Sequence, residues 1–263
     1  MKKLVPLLLL IIFFVAAAWY LLIKKPDPVH EAPLPDSPPV LVAETQQAEA
    51  VSSPEDVKGY LEPDPVIVPD PLPPLNESDA GFTGAIAEVI GVDPVDEYLV
   101  RDQVISRTVA MIDSLTSRQV PVQVNPVRAV DDIFIVESQG DRFVMSAENF
   151  ARYDGYVAVI QDLDTSALMK VYRRHYPLFQ SAWKQNGGKG TFRNRLIEVI
   201  DNLLETPDVP GPVYLTKPEA IYLFEEPELE AMSAGQKILV RMGSANASVV
   251  KEKLREIRAA LKP

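Results

Sequence analysis

The chain opens with an apolar run from Leu4 to Ile23 that contains no charged residue and is bracketed by Lys2 and Lys3 on one side and Lys24 and Lys25 on the other. At about 1.5 Å per helical residue such a run reaches roughly 30 Å, the thickness of a bilayer's hydrocarbon core. The pattern predicts a transmembrane helix, with Trp19 and Tyr20 suited to the membrane interface and Pro6 in the first turn, where its missing N–H costs little. Ala16, Ala17 and Ala18 offer a signal-peptidase site, but cutting there would leave a greasy Trp19 to Ile23 end. The run also exceeds the roughly 7–15-residue core of a cleaved signal. Its length therefore favours an uncleaved anchor over residues 1–25.

After Ile23 the apolar pattern stops. Residues 26–75 hold 13 of the 24 prolines and ten acidic residues against the single Lys58. This stretch has too little apolar surface to offset the entropy of ordering it, and prolines with like charges hold a chain extended, so a disordered linker is expected.

Helical periodicity returns in residues 76–263. Ser78 is placed to cap a short helix ending near Gly91, and Asp93 followed by Pro94 reads as a second helix start. Between Leu99 and Leu115 the residues Val104, Ile105, Thr108, Val109, Ile112 and Leu115 share one face. Prolines and β-branched residues from Val120 to Val130 predict an extended crossing, and Ile133 to Met145 a small hairpin turning at Gln139 and Gly140. Ser146 is expected to cap a helix to about Gln161, and Asp164 a longer one through Trp183 that stops at Asn186, Gly187 and Gly188. Thr191 opens another, with Phe192, Leu196, Val199, Ile200 and Leu203 as its buried stripe. Short helices near Pro218 to Phe224 and Leu229 to Met242 precede a last one capped by Ser244, with Val250, Leu254, Ile257 and Leu261 inward. The expected fold is mainly α: a membrane helix, a disordered tether, and one compact multi-helix domain with a single small β-hairpin.

Charge refines this layout. The net charge is −11, made of +4 in the anchor, −9 in the linker and −6 beyond it, which argues against nucleic-acid binding. The positive N-terminal end and the acidic segment after the run favour a cytoplasmic N-terminus and a domain on the far side. With no cysteine there is no disulfide, thiolate metal site or cysteine nucleophile. Lumenal domains of secretory organelles more often carry disulfides, so a bacterial inner membrane with a periplasmic domain is the expected setting.

The chemistry-bearing residues are few. Only His30 and His175 exist, and His30 lies in the linker, so no histidine-built metal site is expected. His175 stands on an apolar helical face between Tyr172 and Phe179 and reads as a core residue. Ser181 and Lys184 have S-x-x-K spacing without its companion motifs, and the glycines from Gly187 to Gly190 lack the phosphate-loop spacing. No cofactor is expected. Asp154, Glu198 and Asp201 are the candidate acids for a carboxylate-based hydrolase of an envelope polymer. Arg152, Tyr153, Tyr156, Arg173, Arg174, Arg193 and Arg195 fall on consecutive helices, where they either converge as a groove for an anionic or glycan ligand or pair internally with those acids.

The stretches NFARYDGYVAVI, YRRHYPLFQSAW and FRNRLIEVIDNLLETPDVPGPVYLTKPEAIYLFEEPELEAMSAGQKILVRMG resemble the DUF3014 family of bacterial proteins across nearly all of the chain after the linker. LEAMSAGQKILVRMG with the acidic EEPELE before it is the most specific part. The resemblance implies a bacterial envelope setting and transfers no catalytic residue. A non-enzymatic binding or scaffolding module is thus the leading expectation, partnered by the bilayer through its anchor and by an envelope protein or an anionic wall ligand through its domain, with an anchored hydrolase as the alternative.

Overall fold

The computed structural model describes residues 71–128, 134–218 and 221–262, and everything below concerns these. The apolar run at 4–23 and the linker up to residue 70 lie outside them. Among the described residues no helix is long and apolar enough to cross a membrane.

Ten α-helices and four short strands make up the described fold. They are α1 (Asp79–Ile90), α2 (Val92–Tyr98), α3 (Val104–Ser114), β1 (Val136–Gln139), β2 (Arg142–Met145), α4 (Glu148–Ala151), α5 (Asp154–Gln161), α6 (Thr165–Gln185), α7 (Phe192–Leu204), β3 (Tyr214–Thr216), β4 (Leu223–Phe224), α8 (Pro227–Glu230), α9 (Ala234–Arg241) and α10 (Gly243–Ala260).

The main core is helix on helix. The apolar stripes of α3, α6, α7 and α10 meet in it, and Phe179, Phe192, Val199, Ile200, Val250 and Leu254 are essentially sealed from water. Burying each such side chain contributes about 1.5–3 kcal/mol. Phe179 and Phe192 stack with ring centroids 5.7 Å apart where α6 and α7 cross. The cap of α6 is as expected: the Asp164 carboxylate accepts from the amides of Ser166 and Ala167. Pro177 is exposed on the outer side of the same helix. Gly188 follows because a Cβ there would sit 2.0 Å from the Trp183 ring.

Several boundaries differ from expectation. The helix expected after Ser146 breaks at Arg152 and Tyr153 into α4 and α5, and the one expected over Leu229 to Met242 splits into α8 and α9. Ser233 causes the second break, since it forms a reciprocal capping box with Gln236 that starts α9 afresh. The last helix begins at Gly243, with φ near +81°, one residue before the expected Ser244 cap. The Ser78 hydroxyl turns back to the Leu75 carbonyl instead of capping α1.

The largest correction concerns the β-structure. The expected hairpin is one half of a four-stranded antiparallel sheet in the order β1-β2-β3-β4. Its turn is Gly140–Asp141, with Gln139 opposite Arg142, one residue later than expected. Phe143 pairs with Leu215, and Leu215 with Phe224, so the segment expected as a short helix near Pro218 to Phe224 ends in strand β4 instead. A second, smaller core of Met145, Val213, Leu215, Phe224, Leu229 and Val240 lies between this sheet and α8–α9.

Candidate functional site

The seven arginines and tyrosines singled out from the sequence are distributed over several junctions. Tyr153 and Tyr156 are 2% and 9% exposed and belong to the main core. The Tyr153 hydroxyl has no hydrogen-bond partner among the described residues, and burial pushes its pKa up. Arg152 donates to Asn149 Oδ1 at 3.3 Å, beside α4. Arg193 donates from Nε to the Leu261 carbonyl at 2.8 Å, and Arg173 to the Ala260 carbonyl at 3.3 Å, so these two do come together, at the C-terminal end of α10. Unsatisfied carbonyls and the negative end of the helix dipole account for that choice. Arg174 is half-buried on α6. Arg195 points elsewhere: it reaches Asp113 Oδ1 at 2.6 Å, the Asp113 carbonyl at 2.9 Å and Thr116 Oγ1 at 2.6 Å, tying α7 to the end of α3.

The acids are engaged as well. Glu198 accepts from Arg195 at 3.2 Å, while Asp201 forms a two-pronged pair with Arg258 at 2.8 and 3.1 Å, linking α7 to α10. Asp154 accepts from Asn246 at 3.4 Å. Two further cations are drawn inside and satisfied: Lys237 pairs with Glu230, and Lys253 with Glu256 and the Leu163 carbonyl. Arg241, 5% exposed, lies over the Phe224 ring at 5.0 Å, and burial lowers its pKa. No group of three or more histidine, aspartate or glutamate side chains is placed to hold a metal among the described residues.

A cleft of about 230 Å³ opens between the loop after α7 and the outer face of α10. Ser244, Ser248, Lys251 and Arg255 line it from α10, at spacings of four, three and four residues that put them on one helical face. Asp208 and Val209 face them from the loop, and Leu239 and Val240 contribute from α9. Lys251 donates to the Thr206 carbonyl, which holds its stem against the loop. Burial and the neighbouring Arg255 lower the Lys251 pKa, and Asp208 opposes them. Neighbouring cations on α10 are paired, Lys253 with Glu256 and Arg258 with Asp201, whereas Arg255 has no ion-pair partner among the described residues. The cleft thus concentrates hydroxyl, ammonium and guanidinium donors over a partly apolar floor. It was missed in the sequence, where Ser244 reads as a cap and Ser248, Lys251 and Arg255 carry no motif that marks them as a site.

The model of the DUF3014 family, described as a protein of unknown function, matches residues 104–258. The chain belongs to the DUF3014 family. The matched span runs from the first residue of α3 into the last turn of α10, so it takes in most of the main core, the smaller core, the sheet and the α10 cleft, and leaves α1 and α2 outside it. No curated protein and no solved structure matches the chain.

Proposed function

We propose that this DUF3014 protein is a single-pass bacterial inner-membrane protein, anchored through residues 4–23 with its N-terminus in the cytoplasm. Its helical domain, held off the bilayer by the proline-rich linker, works in the periplasm by binding rather than by catalysis. The apolar run, its flanking lysines and the acidic, proline-rich composition of residues 26–75 support the setting. The observation that carries the binding reading is the fate of the acids. A carboxylate hydrolase needs one proton-donating acid and a second carboxylate free to act beside it. Here Glu198 and Asp201, three residues apart on α7, are each held by a different arginine, Glu198 by Arg195 of the same helix and Asp201 by Arg258 of α10.

The test is to incubate the purified full chain with isolated peptidoglycan sacculi. The expected result is co-sedimentation without release of soluble fragments. Release of fragments would replace this reading with the hydrolase, and neither binding nor release would remove the wall as the ligand.

A further inference from the structure

We propose that the α10 cleft is a binding site for the phosphoryl group of a hydroxyl-bearing phosphoester, such as a glycerol phosphate headgroup; this deepens the binding reading above and rests on it.

Four donors on one helical face frame the cleft: the hydroxyls of Ser244 and Ser248, the ammonium of Lys251 and the guanidinium of Arg255. Lys251 spends one of its three N–H bonds on the Thr206 carbonyl and keeps two for the cleft. Placing two like charges four residues apart on a helix is destabilising by a few tenths of a kcal/mol. Among the described residues Asp208 is the one acid lining the cleft, which leaves a net charge of +1 from Lys251, Arg255 and Asp208 there on a protein of net charge −11. A bound oxyanion relieves that repulsion. A phosphoryl group fits better than a carboxylate, because four separated donors ask for several acceptor oxygens in tetrahedral array, and a guanidinium with an ammonium is a common phosphate-binding set.

Asp208 narrows the choice further. A carboxylate facing the anion repels a bare phosphate but accepts from a hydroxyl carried next to the phosphoryl group. Val209, Leu239 and Val240 give the carbon atoms of such an ester an apolar floor. The volume suits one headgroup or sugar-sized ester and lies below the several hundred Å³ usual for larger ligands.

The test is calorimetric titration of the detergent-solubilised full chain at fixed ionic strength. Inorganic phosphate, glycerol 3-phosphate and glycerophosphoglycerol serve as probes. Saturable binding of an ester, at least tenfold tighter than inorganic phosphate, is expected. Arg255→Gln, an exposed position where folding is not at stake, should weaken it at least tenfold, and Lys170→Gln on exposed α6 surface should leave it unchanged. Preference for glycerophosphoglycerol assigns the site to a lipid headgroup and preference for glycerol 3-phosphate to a soluble ester; both support the proposal. Absence of saturable binding, or equal binding by Arg255→Gln, overturns it. If the chain still sediments with sacculi in that case, only the cleft assignment falls and the binding module stands.

Discussion

His175 donates from Nδ1 to the Val171 carbonyl at 2.9 Å and meets Phe82 edge to face at 5.2 Å, with 7% of its surface exposed. Because the carbonyl can only accept, Nδ1 carries the hydrogen of this bond. Burial lowers its pKa from the usual 6.5. The sign follows from linkage: below about pH 6.5 the unfolded chain takes up a proton that the folded ring refuses, so stability present above that pH is lost as pH falls toward the folded value. The slope is at most about 1.4 kcal/mol per pH unit for one group. Urea unfolding of wild type and His175→Leu at pH 7.5 and 5.5 checks this. The stability lost between the two should be smaller in the variant, and an equal loss in both would show that His175 is not the group responsible. Its burial could be read from its place on the apolar face of α6; the carbonyl it bonds and the ring it meets could not.

At the scale of elements, the long amphipathic helices were legible because each repeats its apolar face over three or more turns, and α3, α6, α7 and α10 all appear with the expected residues inside. The shortest elements were not. Strands β3 and β4 have three and two residues, too few to display a period of two, and what makes them strands is pairing, β3 with β2 and β4 with β3, which the sequence does not display. The start of α3 escaped for a related reason. Its cap is the carboxylate of Asp79, which accepts from the amides of Gln103 and Val104 at 2.8 Å each across more than twenty residues. That anchoring also holds Gln103 at φ near +51°, an uncommon conformation for a residue other than glycine. Asp79→Ala should cost about 1–2 kcal/mol in denaturant unfolding, and Asp79→Asn, which keeps one acceptor, roughly half of that. A loss below about 0.3 kcal/mol for the alanine variant would remove Asp79 as the cap of α3. The site shows the same division. The spacing of Ser244, Ser248, Lys251 and Arg255 is visible in the sequence, but the Asp208 loop opposite them is brought there only by the fold. Likewise the arginines of α6 and α7 stand out as a group, yet their partners, Asp113, Ala260 and Leu261, are about 80 residues away along the chain.

For the whole molecule, arginine ion pairs and arginine–carbonyl hydrogen bonds work as ties between helices. Arg195 joins α7 to α3, Arg258 joins α10 to α7, and Arg173 and Arg193 hold the end of α10. The ion pairs among them are partly exposed and worth no more than about 1 kcal/mol each, so the apolar cores carry the stability and the ties set how the helices register. A domain organised in this way presents the cationic α10 cleft, and under the proposed function the proline-rich composition of residues 26–75 suits it to reaching a ligand away from the bilayer. The proposed function turns on residues 4–23 anchoring the chain and on the domain lying in the periplasm. The most direct measurement is a topology assay on the full chain, with an enzyme active only in the periplasm and a fluorophore that matures only in the cytoplasm fused in turn after Pro263. Periplasmic enzyme activity without cytoplasmic fluorescence is the expected result. Fluorescence without enzyme activity would contradict the account, excluding the wall as a ligand and making the linker a leash for partners in the cytosol.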